Sequence, residues 1–464
     1  MPKRPRPLIL WTATGCAALT CLGAGLWGLP YWTELEELQQ TSVTPSLQAL
    51  PSPTSTPTLE ASGQPNQQAL ASELDAILAG LGQGTASAQV ILADGQQVYA
   101  QESNSLRIPA SNMKMLVNYA LQTSHPNQRL TTSVSQLSDS QLVLVAGGDS
   151  LLVPGPSNPD EVVGRAGIQT LAEQTLEALT AKGASNQSYS VSLDTSIFSG
   201  PATNPDWAQE DLDSGFLSPV TPLAFYSHYS PAADGSRSDQ RPQDAPRQVL
   251  DSLIDQLNRL GKEGGLSFSV SDQQVATEGV TLASVQSATL AEQANLMMLE
   301  SDNSLAEVLG RNLSALEGGD GSTRGAIEAI QQQLTARGLT FTYQQADISG
   351  LSTNNRLTTE FLNELSLRAV TGDVQERATL RSLPVAGLSG TLGLANRFND
   401  ASELDGRGLV RAKTGTLNEA LSLSGYAVGD SGQVYIFSVI LNDLTDAEAA
   451  KSTLDSFAAT LTRY

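Results

Sequence analysis

The chain holds only six lysines in 464 residues, and two of them stand in patterns that can share one chemistry. Lys114 closes the run Ser111-Asn112-Met113-Lys114, and Lys413 opens Lys413-Thr414-Gly415-Thr416. Pro109 suits a helix start, and Met115, Leu116, Tyr119 and Ala120 give an apolar face beyond it. On such a helix Ser111 and Lys114 are neighbours on one face, because residues three apart stack a turn away. A serine hydroxyl is a poor nucleophile until a base takes its proton. A lysine at its ordinary pKa is neutral in only about one molecule in 2,500 at pH 7. Burial, or a second nearby cation, lowers that pKa by disfavouring the charged form. Lys413 is the expected second cation, so residue 413 should fold against residue 114. A lone Ser-x-x-Lys is common by chance, and its bland alternative is a serine cap followed by a solvated lysine.

A third element is Ser301-Asp302-Asn303. Thr289 and Glu292 make a capping box for a helix carrying Leu296, Met297 and Leu299. A second helix pattern runs through Leu305, Val308, Leu309 and Asn312, which puts Ser301 to Asn303 in a tight inter-helix turn. A hydroxyl there can relay protons, and an amide can hold a substrate carbonyl. Ser352-Thr353-Asn354 repeats the spacing in a Gly- and Asn-rich turn and reads as structural. Lys413-Thr414-Gly415 precedes two strand-like runs, 421–428 and 434–441. It offers a cationic head, a hydroxyl, and a glycine that lets a substrate backbone approach an edge strand.

Composition excludes more than it names. A formal charge of -22 argues against nucleic acid, which needs clustered Lys and Arg, and is also an ordinary route to solubility. Both cysteines, Cys16 and Cys21, lie in the N-terminal apolar segment, so the rest has neither a disulfide framework nor a thiolate metal site. The only histidines are His125 and His228; without clustered imidazoles or an HExxH run, no metal is expected. A Ser-His-Asp triad would have to use one of the two, and His125 reads as part of a surface turn.

Lys3, Arg4 and Arg6 precede an uncharged run from Pro7 to Thr33, followed by Glu34, Glu36 and Glu37. The run is long enough to cross about 30 Å of hydrocarbon. An uncleaved membrane anchor over 1–38 is the preferred reading and a cleaved signal peptide the alternative; either exports the remainder. Residues 39–68, rich in Pro, Ser, Thr and Gln, cannot bury enough apolar area to fold and read as a tether. The globular part opens with a helical pattern from Leu70 to Leu81. A hairpin follows, in which Asp94-Gly95 joins the runs 88–92 and 97–100.

Ser-x-x-Lys, Ser-Asp-Asn and Lys-Thr-Gly, in that order, resemble the motifs of the penicillin-interacting serine enzymes. About 190 residues separate Ser111 from Ser301, too many for a compact β-lactamase. The chain thereby resembles the low-molecular-mass class C penicillin-binding proteins, the D-Ala-D-Ala carboxypeptidase/endopeptidase family S13. The stretches Gly147–Leu151, Asp194–Phe198, Asp347–Leu357 and Leu383–Leu392 look like the same family, over residues 70 to 464. Two features depart from it. Ile348 stands where Gly is usual, and the stretch between Tyr226 and Val280 is short, so the accessory insertion is reduced.

The resemblance implies an α/β (α+β) fold, a penicillin-binding transpeptidase/β-lactamase-like core with about five antiparallel strands covered by helices. Residues 69–130 and 283–464 would form this discontinuous catalytic domain, and 131–282 an inserted mixed α/β domain. It makes Ser111 the acylated nucleophile, Lys114 its base, Ser301 a proton relay to the leaving amine, and Asn303 a holder of the substrate amide. Lys413, Thr414 and Thr416 would face a terminal carboxylate, with Gly415 between them. The N–H groups of Ser111 and Thr416 would form the oxyanion hole. Asp211 is the match for an acidic residue near the amino end of the peptide stem; a solvated loop aspartate is the alternative. Implied partners are peptidoglycan stem peptides, β-lactams as covalent inhibitors, and the membrane, with no cofactor. A β-lactamase or esterase on the same fold stays open, as does a non-catalytic wall-binding scaffold. Carboxypeptidase against endopeptidase, the deacylation base and the oligomeric state are left open.

Overall fold

The computed structural model describes residues 66–274 and 279–464. The expected anchor at 1–38, and the expected tether apart from residues 66–68, lie outside the described residues. Among those described, no helix is long and apolar enough to cross a membrane.

The helices are α1 (Gln67–Ala79), α2 (Lys114–Ser124), α3 (Ile168–Ala181), α4 (Gln209–Asp213), α5 (Ala245–Gly261), α6 (Leu290–Glu300), α7 (Asn303–Leu316), α8 (Thr323–Ala336), α9 (Thr359–Thr371), α10 (Val374–Ala378) and α11 (Ala447–Leu461). The strands are β1 (Thr85–Leu92), β2 (Gln97–Gln101), β3 (Arg129–Ser138), β4 (Gln141–Val145), β5 (Ser188–Asp194), β6 (Ser267–Gln274), β7 (Val280–Thr289), β8 (Val410–Leu417), β9 (Ala420–Val428) and β10 (Val434–Asn442).

One sheet has the order β2-β1-β10-β9-β8 and is antiparallel throughout, as expected. Its N-terminal hairpin pairs directly with the C-terminal meander, Ala88 opposite Val439, so distant parts of the chain share one sheet. β1 and β10 are buried along nearly their whole length and read as continuous apolar runs, because helices cover both faces. On one face Leu70, Leu74, Phe457 and Leu461 of α1 and α11 pack against Val90, Phe437 and Val439. On the other, Ile440 joins a helical core of Leu116, Tyr119, Met297, Leu309 and Phe361. Full burial of side chains this size stabilises by about 1.5–3 kcal/mol each.

The second sheet, β6-β5-β4-β3-β7, is mixed: β4-β5 and β5-β6 run parallel, and β3 pairs antiparallel with β4 and β7. It spans residues 129–289, slightly wider than the insertion expected over 131–282. Its core packs α3 and α5 on the strands. α5 shows why: Asp244 caps it, Pro246 sits in the first turn, and Val249, Leu250, Leu253, Ile254 and Leu257 line one buried face.

Candidate active site

Ser111 lies in a 3-10 turn, Ala110–Met113, that leads straight into α2. Ala110 has φ +47°, so the chain enters the turn through the left-handed region. Three contacts hold it there. Ser422 Oγ donates to Pro109 O at 2.6 Å, and Asn112 Nδ2 donates to Ser424 Oγ at 2.8 Å, both from β9. Gly350, at φ +82°, presses so close that a Cβ would lie 2.0 Å from Ala110 O.

Lys114, fully buried, opens α2. Its Nζ lies 3.0 Å from Ser111 Oγ, 2.7 Å from Asn303 Oδ1 and 2.6 Å from Ser349 O. Burial lowers its pKa to about 8, against the opposing pull of Asp347, Asp302 and Glu307. A neutral amine has two N–H donors and one lone pair. Asn303 and Ser349 O take the donors, leaving the lone pair for the Ser111 hydroxyl. The sequence reading expected a neighbouring cation to depress Lys114; burial does so instead. The repulsion falls on Lys413, which is pushed well down by burial first, then by Lys114 and Arg397.

Lys413 Nζ donates to Ser301 Oγ at 2.8 Å and to Thr414 O at 2.7 Å. Ser301 ends α6 at φ 57°, and Asp302 caps α7 through Leu305 N, giving the tight turn expected. The Thr289–Glu292 capping box is present. Ser111, Ser301, Asn303, Thr391, Thr414 and Thr416 thus line one cavity of about 250 Å³. β8 is an edge strand, paired outside only near its start, where Ala412 N donates to Pro384 O. Beyond that its edge faces the cavity, as β-strand addition requires.

Gly415 is also needed for packing. A Cβ there would lie 2.1 Å from Ser422 Oγ and 2.7 Å from Pro109 O, so the glycine lets β8 close on the 3-10 turn that carries Ser111. Asp211 sits on α4, partly buried, and lines neither this cavity nor the larger one beside it. His228 is buried, its Nε2 held by Thr221 N and Oγ1. His125 is a partly exposed helix end near Glu317. Lysine, not histidine, stands at the serine.

Sequence reasoning gave no role to Glu307 and Asp347. Glu307 Oε1 accepts from Ile348 N and Ser349 N, so it holds the carbonyl that holds Lys114. Burial, then Asp347, pushes its carboxyl up to about 7. The Asp347 carboxylate accepts from Gly350 N, Ser352 N, Asn355 Nδ2 and Trp207 Nε1, bolting the 201–220 segment to the 347–355 loop. Glu307, four residues after Asn303 on α7, was the available signal. Thr391 Oγ1 lies 2.7 Å from Thr414 Oγ1 and also went unassigned.

A serine facing a buried lysine whose pKa is lowered toward neutrality, beside an open strand edge, is equipment for acyl transfer, and with this sheet it defines a penicillin-binding-type serine hydrolase. Residues 70–235 and 230–464 match the D-Ala-D-Ala carboxypeptidase 3 (S13) family. Carboxypeptidase DacB of Mycolicibacterium smegmatis is 33% identical over 414 residues, 86% of this chain and 84% of that one. A carboxypeptidase of Mycobacterium tuberculosis is 33% identical over 378 residues, 79% of this chain and 77% of that one. The crystal structure of penicillin binding protein 4 from Haemophilus influenzae has the same fold, with TM-score 0.68 at 18% identity over 84% of this chain and 99% of that chain. The chain belongs to the D-Ala-D-Ala carboxypeptidase 3 (S13) family and is a serine-type peptidase.

Proposed function

We propose that the chain hydrolyses peptidoglycan stem peptides ending in D-Ala-D-Ala, by way of an acyl-enzyme at Ser111. The observation that carries the assignment of roles is the set of three contacts at Lys114 Nζ. Lys114 takes the Ser111 proton as Oγ attacks the penultimate D-Ala carbonyl. The C–N bond then breaks, and Ser301, hydrogen-bonded to Lys413, relays the proton taken up by Lys114 to the departing amine, which leaves Ser301 a hydroxyl and Lys114 neutral again. Water hydrolyses the ester. Thr414 and Thr416 meet the terminal carboxylate, and Ser111 and Thr416 N–H groups stabilise the oxyanion. Asp211 would meet the amino end of the stem. Residues 69–130 with 283–464 act as the catalytic domain and 131–282 as its insert. The N-terminal apolar run supports an exported protein tethered to the membrane.

A β-lactam would acylate the same serine; a penicillin binding protein 4 from Haemophilus influenzae, of this fold, was crystallised with one. The test is D-alanine release from a stem pentapeptide. Release by the parent and its loss in Ser111→Ala is expected, whereas folded parent protein without release contradicts the proposal.

A further inference from the structure

Past Ser301 the cleft widens into a second cavity of about 550 Å³, joined to the first through Ser301, Asn303, Thr391 and Leu394. Its lining brings Arg237, Arg241, Tyr229 and Phe216 together with the carboxylates of Glu300 and Asp302, in a chain of net charge -22. The guanidinium carbons of Arg241 and Arg237 lie 3.8 and 4.8 Å from the Tyr229 ring centroid, and Phe216 stands 55% exposed at the rim. Arg241 is committed: its Nε donates to Gly215 O at 2.6 Å and its NH1 to Ser304 Oγ at 3.1 Å, just beyond Asn303. Arg237 is exposed, and among the described residues it forms no ion pair. Glu300 stands on the same wall, its carboxyl pushed upward by burial and then by Asp302, with Arg237 pulling it back.

The wall is built at a cost. Tyr226, Ser227 and His228 carry φ of 47°, 56° and 64° in succession, each about 1–2 kcal/mol less favourable for a non-glycine residue. Side-chain and backbone bonds fix this left-handed turn: Ser227 N to Ser150 O at 2.7 Å, Thr221 N to His228 Nε2 at 3.1 Å, and Arg241 NH1 to Ser227 O at 3.2 Å. Strain held this firmly marks places with a task. Here it delivers Tyr229 to the cleft and, through the hairpin closed by Ser238 N to Ser230 O, Arg237 beside it.

We infer that this second cavity is a leaving-side subsite for a carboxylate on the peptide beyond the scissile bond, bound by Arg237 on the Tyr229 platform. The inference rests on the proposed function: if Ser301 protonates the departing amine, whatever that amine carries lies on the Ser301 side, where the cavity opens. A released D-alanine is too small to fill it, whereas a cross-linked acceptor strand with its own free carboxylate reaches it. The surrounding negative charge makes a local cation decisive for such a substrate.

The test uses full-length protein and two cross-linked stem-peptide dimers, identical except that the acceptor strand ends in a free carboxylate or in its amide. The parent is expected to cleave the carboxylate dimer about fivefold faster in kcat/KM, a preference that shrinks with added salt. Arg237→Gln should erase it and Arg237→Glu reverse it, with penicillin acylation reporting that each variant is folded. A parent indifferent to the amide, or a preference surviving Arg237→Gln, overturns the inference. So does a parent that releases D-alanine from a pentapeptide but cleaves neither dimer. A parent inert on the pentapeptide as well, and not acylated by penicillin, fails the proposed function itself and the inference with it.

Discussion

Lys114 Nζ has three oxygens within hydrogen-bond reach and, when neutral, only two N–H groups to give them. In the proposed mechanism that mismatch is what lets it act as the base for Ser111. With its pKa lowered to about 8, the neutral fraction grows as pH rises, so penicillin acylation should climb from pH 6 and level off above about 8. A profile flat from pH 6 to 9 would rule out this titration. Glu307 acts one step removed, as a positioning residue. Glu307→Ala strands the N–H groups of Ile348 and Ser349 and should cost about 1–3 kcal/mol, seen as a lower Tm, while slowing acylation. Glu307→Gln keeps the acceptor and drops the charge. It should restore Tm and shift the acylation midpoint down, because an ionised Glu307 favours charged Lys114. Glu307→Ala with unchanged Tm and acylation would remove this role.

At the scale of elements, the site is made where β8, β9 and the 3-10 turn meet. Gly415 on β8 stands where an added carbon collides with Pro109 O and with Ser422 Oγ of β9. Gly415→Ala should therefore lower both Tm and acylation, by about 1–3 kcal/mol in stability, measurable by thermal unfolding. A variant as stable and as reactive as the parent would mean that the strand edge has slack. The departure at Ile348 has a local answer of the same kind. Ile348 is fully buried, and a Cβ on Gly310 of α7 would lie 2.7 Å from its Cγ1, so the helix gives up a side chain to seat it. The hairpin, the β9–β10 meander, the Thr289 box and the Ser301 turn were legible because each rests on local chemistry. Where α2 begins was less so: Pro109 reads as a helix start, yet the turn after it is 3-10 and the α-helix opens only at Lys114.

Across the whole molecule, the three motifs were legible as chemistry, and their order with the family resemblance gave the antiparallel sheet that unites residues 85–101 with 410–442. Three things were not. The cause of the Lys114 shift depends on burial, which no spacing displays. The Glu307–Asp347 support joins residues 40 positions apart by backbone contacts that carry no pattern. The left-handed turn at Tyr226–His228 is built from residues that ordinarily avoid it, so sequence argues against it and only its tertiary partners explain it. The central claim, a lysine-activated nucleophile at Ser111, is tested most directly by the intact mass of the full-length chain after exposure to penicillin, for the parent and Ser111→Ala. One adduct per chain, mapped to Ser111 and absent from the variant, is the predicted result. Folded parent protein that takes up no adduct, or an adduct that persists in Ser111→Ala, would contradict it.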